Sequence, residues 1–432
     1  VFWFFYNSLF HLIYLLMLPH FLLRMRRRGG YRRDFGERLF RLSEEKQAAL
    51  SEGRRMWVHA VSVGELGVGL AFMKEWRRRH PEVRFLVTVN TSTAHALAAE
   101  KLPKQDVLLY PPVDSPWVIR KVLKTVEVEA LVLVETEMWP NLLRGLDQKR
   151  IPVMLLNGRI SDRSFGRLEK IRWMTRRLYR LVSLYAMQSE QDAERATELG
   201  ASKDRVQVLH SAKYDVAERE EEEEEKRRTR LVSSGFLNGD SLILLGSSTW
   251  PGEEKVLLEM AVRLQKDHTR IRLILVPRHF ERRQDLLAEA DTMGIRLACW
   301  STATDEELGQ ADALLVDTTG ELKHFTGFAD RVFIGKSLFR SEGQNPLEAA
   351  NAGKWIVTGM GMDNFPQVMQ DLRQANAISQ VRDVEELESE LIQSLRQVDA
   401  ADGRGERARA LVERRKGSIS RSADALEDLL AS

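Results

Sequence analysis

Short apolar runs alternate with amphipathic stretches through most of this chain, and the alternation halts once and then restarts. That rhythm marks α/β units built on parallel sheets. In the first half the apolar runs predict strands at Met56–Val61, Arg84–Val89, Val107–Tyr110, Ala130–Glu135, Val153–Asn157, Leu184–Gln188 and Val206–Leu209. Helical stretches fill the gaps, for example Gly67–Arg79 and Ser164–Arg180. Residues 216–230 are a charge run without apolar periodicity and read as a hinge or a solvated helix start. Strands are expected again at Leu242–Gly246, Arg272–Val276, Ala313–Val316, Val332–Ile334, Trp355–Val357 and Ala377–Ser379. A long polar helix, roughly Glu406–Ala431, is expected to close the chain. The expected architecture is two doubly wound, Rossmann-like α/β domains facing a cleft. Their boundaries are 31–216 and 232–432, with a charged hinge at 217–231 and an N-terminal membrane-anchoring segment at 1–30. In doubly wound sheets, ligands collect beyond the carboxyl ends of the strands. The chemistry is therefore sought just past each strand.

The first 23 residues carry no formal charge, and 18 of them are apolar. That is long enough for a hydrocarbon core, which takes about 20 residues. Arg24, Arg26, Arg27, Arg28, Arg32 and Arg33 follow, the reverse of a signal peptide's order. The segment reads as an anchor, spanning or lying in the interface, with the body on the cytoplasmic side. Beyond it the charge is uneven. Residues 24–216 hold 36 Lys/Arg against 24 Asp/Glu, a net +12, whereas residues 217–432 hold 29 against 39, a net −10. Seven of those negative charges are Glu218 and the run Glu220–Glu225. A basic front half favours anionic partners. The single cysteine, Cys299, excludes a disulfide scaffold and fits a reducing compartment. No HExxH, DxD, Cys pair, Walker loop or strand-linked GxGxxG occurs, so neither a metal nor a cofactor is expected.

At the strand ends, Ser62-Val63-Gly64-Glu65 leads into a helix. Glu65 either complements the helix dipole or stands as a base able to accept a hydroxyl proton. Glu135-Thr136-Glu137-Met138-Trp139-Pro140-Asn141 sets two carboxylates in three residues, costly unless used or paired, and Arg159 in Asn157-Gly158-Arg159 is one candidate partner. His210-Ser211-Ala212-Lys213-Tyr214-Asp215 offers a lysine, either solvent-facing or holding an anion. In the second half, Gly246-Ser247-Ser248-Thr249 precedes Pro251-Gly252-Glu253-Glu254, and Val276-Pro277-Arg278-His279 projects two potential cations from a strand tip. Gly320-Glu321-Leu322 opens a helix. Asn345-Pro346-Leu347-Glu348 places a carboxylate in a first helical turn, suited to dipole complementation or to both hydroxyls of a ribose.

These motifs, in this order, resemble the 3-deoxy-D-manno-octulosonic acid (Kdo) transferases. The resemblance also takes in the N-terminal segment, Tyr31 to Arg38, His59-Ala60-Val61 and Ile160-Ser161, and so covers almost the whole chain. It implies a metal-independent, inverting glycosyltransferase of the GT-B fold that moves Kdo from CMP-Kdo to the 6′-hydroxyl of the lipid A precursor of lipopolysaccharide. By matching motif, Glu65 is implied as general base, and Glu135 and Lys213 as transition-state stabilisers. Pro277, Arg278 and His279, then Gly320, Glu321 and Leu322, then Asn345, Pro346, Leu347 and Glu348, are implied to bind CMP. No cofactor and no nucleic acid partner are expected. The partners implied are CMP-Kdo, the lipid acceptor and an anionic membrane surface, on the cytoplasmic face of a bacterial inner membrane. Three departures lie in the donor half: Trp250-Pro251 before Gly252, Phe280 after His279, and Ser341-Glu342-Gly343-Gln344 before Asn345. They leave open a GT-B transferase with another nucleotide sugar. A further alternative is a catalytically inactive lipid-binding relative.

Overall fold

The computed structural model describes residues 2–28, 36–216, 220–267, 270–396 and 403–431, of which 18–28, 267, 395 and 396 are described in backbone only. Tyr31 to Phe35 and the side chains of the arginine cluster therefore lie outside the described residues. The chain divides into two compact units, Val1–Val216 with Lys416–Ser432, and Ala217–Arg415.

The first unit is a seven-stranded parallel sheet of β1 (Arg55–Ala60), β2 (Phe85–Val89), β3 (Val107–Leu109), β4 (Val128–Val134), β5 (Val153–Gly158), β6 (Leu184–Met187) and β7 (Val206–Val208). The spatial order is β3-β2-β1-β4-β5-β6-β7. Alternate residues serve opposite faces. Trp57, Leu131, Leu133 and Leu155 join one core, while Met56, Val58, Val132 and Leu156 join the other. Both faces are covered, which is why the strands read as unbroken apolar runs. The strand order reverses between β1 and β4, so their carboxyl ends flank the position where such folds bind ligands.

The second unit repeats the plan with β8 (Leu242–Thr249), β9 (Ile271–Pro277), β10 (Leu297–Cys299), β11 (Ala313–Leu315), β12 (Arg331–Ile334), β13 (Trp355–Gly359) and β14 (Ile378–Val381). Its order is β10-β11-β9-β8-β12-β13-β14, again parallel, with the reversal between β8 and β12. Leu273, Leu275, Leu315, Phe333 and Val357 fill its core.

Two expected helices need correction, one strand was not expected, and the charged run takes one of its two readings. Leu297–Cys299 is an edge strand of three residues, too short to show a period. The helix expected over Ser164–Arg180 is two, Asp162–Glu169 and Arg172–Tyr179, broken at Ile171 (φ −115°, ψ 33°). The break lets Phe165, Leu168, Leu178 and Tyr179 all reach the same core. The closing helix is likewise two, Arg404–Arg415 and Ser418–Ala431, separated at Gly417 with φ +91°. Its second part belongs to the first unit, where Ile419, Ala423 and Leu426 are buried with Phe72 and Trp76. Finally, residues 217–219 lie outside the described residues, and the charged run goes on as the helix Glu221–Ser233 of the second unit, the helix start that was one of its two readings. Its Glu224 and Leu231 are buried, and Arg227 pairs with Glu321 at 2.9 Å.

The apolar N-terminus forms the helix Phe2–Arg28. One side docks on the first unit: Phe2 is buried, Tyr6 donates to Asp114 Oδ2 at 2.8 Å, and Asn141 donates to Asn7 Oδ1 at 2.7 Å. Phe4, Phe5, Leu9, Leu12, Leu15 and Leu16 are exposed. Among the described residues no helix is long and apolar enough to cross a membrane.

Candidate active site

In the first unit, β1 ends at Ala60 and the chain turns into the helix Val63–Arg79. Ser62 caps that helix, its Oγ accepting from Glu65 N at 3.4 Å. The Glu65 carboxylate turns back over the turn. Oε2 accepts from Val61 N at 2.7 Å, and Oε1 accepts from the Ser62 hydroxyl at 3.2 Å. Burial pushes its pKa up to about 7. The Val61 and Ser62 bonds pull the other way, while the nearby charges of Glu135 and Glu137 add to the rise. A carboxyl poised near neutrality is suited to accept a hydroxyl proton.

Glu135 follows β4 in the left-handed region, at φ +66°. Its Oε1 receives Lys213 Nζ at 3.3 Å and Asn157 Nδ2 at 3.3 Å. Lys213 thus supplies a counter-charge to Glu135. Glu137 instead meets the buried His59, with Nε2 at 3.3 Å from Oε2. The other ring nitrogen of His59 lies 2.9 Å from Thr88 Oγ1, which also accepts from Trp57 Nε1 at 2.9 Å. Lys213 is carried by the short helix Lys213–Val216. Asp215 on that turn caps the C-terminal helix, accepting from Gly417 N at 2.6 Å and Ile419 N at 2.8 Å. The Glu65, Glu135 and Lys213 expected from sequence therefore share one neighbourhood. Asn157, His59 and Glu137 stood in the sequence motifs but were given no role there. The signal available for Asn157 was its place in an Asn-Gly pair at a strand end.

In the second unit, the loops after β8, β9 and β12 meet. Arg278 N donates to Thr249 O at 3.0 Å, which fixes the tip of β9, and the Arg278 and His279 side chains are exposed. Pro277 is buried as the last residue of β9. Trp250 packs edge-on against His279 with ring centroids 4.8 Å apart, and Lys336 Nζ lies 4.5 Å above the Trp250 ring. Glu253 binds these loops together. It accepts from Trp250 N (2.9 Å), Lys336 N (2.7 Å), Ser337 N (3.0 Å) and Leu338 N (3.1 Å). Neither Lys336 nor Glu253 had been given a role from sequence.

Asn345, Pro346, Leu347 and Glu348 start the helix Leu347–Asn351, with Leu347 N donating to Asn345 Oδ1 at 3.0 Å. Glu348 Oε2 is withdrawn from solvent and has no hydrogen-bond partner among the described residues, and burial raises its pKa. A buried acceptor left open is costly, and it is suited to a ligand hydroxyl. Gly320 sits at φ +83° and Leu322 begins the helix Leu322–Thr326. The Glu321 side chain is occupied structurally, accepting from Arg227 Nε at 2.9 Å and Nη2 at 3.1 Å.

The crystal structure of UDP-GlcNAc 2-epimerase from Neisseria meningitidis bound to UDP-GlcNAc matches with a TM-score of 0.59, over 88% of this chain and 100% of that one, at 13% identity. Fold and strand-end loops together define a two-unit α/β protein of the GT-B type. The family model for 3-deoxy-D-manno-octulosonic-acid transferases matches residues 33–216. The 3-deoxy-D-manno-octulosonic acid transferase of Rickettsia conorii is 30% identical over 358 residues, 82% of this chain and 74% of that protein. Its counterpart in Haemophilus influenzae is 26% identical over 99% of this chain and 98% of its own length. A bifunctional glycosyltransferase/methyltransferase of Fusobacterium nucleatum is 30% identical, and the match spans 52% of that longer protein. The chain belongs to the Kdo transferase family, glycosyltransferases of lipopolysaccharide biosynthesis.

Proposed function

We propose that this protein transfers Kdo from CMP-Kdo to a hydroxyl of the lipid A precursor, with inversion and without a metal. The observation that carries the reading is Glu65, a half-buried carboxyl at a strand's carboxyl end with its pKa raised to about 7. Its carboxylate takes the proton of the acceptor hydroxyl as that oxygen bonds to the anomeric carbon of Kdo. The bond from that carbon to the CMP phosphate oxygen breaks, and CMP leaves with the electron pair. Glu135 stabilises the oxocarbenium-like transition state as a carboxylate. Lys213 holds Glu135 in place and adds positive charge for the anionic groups in play.

For the donor, the open Oε2 of Glu348 supports recognition of the ribose hydroxyls, and exposed Arg278 is suited to the phosphate. Backbone groups at Gly320 and Leu322 complete the proposed nucleotide contacts, because the Glu321 side chain is held by Arg227. We place the protein at the cytoplasmic face of a bacterial inner membrane. The exposed apolar side of the N-terminal helix, together with exposed Trp117 and Trp173, supports attachment to an anionic bilayer surface. Incubation with CMP-Kdo and lipid A precursor, read by mass spectrometry, tests the function. Addition of Kdo is expected. Turnover of a UDP-sugar with none of CMP-Kdo overturns it.

A further inference from the structure

Three residues other than glycine adopt left-handed backbone at the carboxyl edge of the first sheet: Glu135 (φ +66°), Asn157 (φ +57°) and His210 (φ +67°). Each such residue costs about 1–2 kcal/mol, least for Asn, and persists only where its surroundings enforce it. Asn157 lies at the irregularity in the pairing of β5 with β6, between Leu155 and Gly158. It is 1% exposed, and its groups are spent on three different loops. Its Oδ1 accepts from Ala212 N at 2.9 Å, beside Lys213. Its Nδ2 donates to Glu135 Oε1 at 3.3 Å. Its carbonyl oxygen accepts from Gln188 Nε2 at 2.9 Å.

The orientation of the carboxamide is fixed by its partners. A backbone N–H can only donate, so the oxygen faces Ala212 and the NH₂ faces the carboxylate. Only a group with one acceptor and one donor, side by side, satisfies both neighbours. An aspartate accepts from Ala212 but sets a second anion against Glu135, where Glu65 and Glu137 already crowd the site. A protonated aspartic acid restores the Asn pattern, because its O–H donates.

We infer that Asn157 is a positioning residue of the transferase reaction: it joins Glu135 to the Lys213 loop and holds the two in register. The inference rests on the roles proposed for Glu135 and Lys213. It accounts for why the strained conformation is kept at a strand end with no ligand contact required of Asn157 itself.

The test compares kcat and KM for Kdo transfer in wild type, Asn157→Asp and Asn157→Gly between pH 6 and pH 8. Glycine accepts positive φ without strain, so Asn157→Gly removes the side-chain bonds and leaves the backbone unstrained. Misplacing a reacting group by about 1 Å costs on the order of 10²-fold. Both variants are expected to lose about that much kcat at pH 8, with KM for donor and acceptor within about threefold of wild type. The ratio of Asn157→Asp to wild type is expected to climb about tenfold or more as pH falls to 6 and the aspartate protonates, while the Asn157→Gly ratio stays flat. Wild-type kcat in a folded Asn157→Gly protein overturns the inference. So does an Asn157→Asp ratio that does not change with pH. If Asn157→Asp does not fold, Asn157→Gly decides the matter through its kcat and KM alone. Absence of Kdo transfer by the wild-type protein would instead refute the proposed function, which keeps the two failures distinct.

Discussion

Lowering the pH should silence Kdo transfer well above the range where an ordinary glutamate titrates, because Glu65, the proposed base, accepts a proton only when ionised. Burial beside Glu135 and Glu137 raises it from 4.5 to about 7. With that value about nine-tenths of the groups are ionised at pH 8 and about 3% at pH 5.5, so kcat/KM should fall roughly thirty-fold. A glutamate at its usual value would lose only about 10% over the same interval. The stability effect has the opposite sign to the activity. The folded state holds a proton that the unfolded chain releases between about pH 4.5 and 7, so this group's contribution declines as pH rises through that window. A shift of about 2.5 units corresponds to about 3 kcal/mol. Glu65→Gln should therefore abolish catalysis by on the order of 10²-fold or more. It should also gain stability relative to wild type as pH is raised from 5 to 8. The assays are a pH–rate profile under subsaturating substrate and thermal unfolding of both proteins across the same range. A profile flat down to pH 5.5, or a stability difference independent of pH, would refute the reasoning.

Other substitutions separate the remaining parts of the argument. Glu348→Ala should weaken CMP binding on the order of tenfold or more by calorimetry, since the hydrogen bonds proposed to the ribose hydroxyls are lost. It should leave thermal stability unchanged or higher, because Oε2 has no hydrogen-bond partner among the described residues. Glu253→Ala removes the acceptor for four backbone N–H groups and should destabilise the second unit by about 3 kcal/mol or more, read by chemical denaturation. Arg79 bonds Asp424 at 2.6 Å, Glu427 at 3.0 Å and Ser420 Oγ at 2.8 Å, so Arg79→Ala should expose the Lys416–Gly417 connection to limited proteolysis. Replacing Phe4, Phe5 and Leu9 by Ser should reduce flotation with anionic vesicles while leaving soluble-donor binding intact.

The alternation of apolar runs with amphipathic stretches sufficed to place most strands, because strands buried on both faces are apolar throughout and helices keep a period of 3.6. Ser62 before Glu65 and Pro346 before Glu348 likewise announced helix starts through local backbone chemistry. Strand ends therefore brought Glu65, Glu135, Lys213 and Glu348 forward, each with a structural reading beside a chemical one, and the resemblance chose between them. The three-residue strand Leu297–Cys299 escaped because it is shorter than any period it could show. The break at Gly417 escaped because a glycine within a polar helical stretch does not by itself announce positive φ.

The rest depends on which distant segments meet, and local periodicity carries no record of that. The sheet order brings Glu135 and Lys213 together across 78 positions of sequence. It also sets Glu135 and Glu137 near enough to Glu65 to raise its pKa. The last helix belongs to the first unit and buries Ile419 and Leu426 there, where Asp215 caps it and so steadies the Lys213 turn. Sequence by itself determined the elements and the residue types at their ends. Tertiary packing decided their partners, their burial and hence their protonation, because desolvation and pairing are properties of the folded neighbourhood.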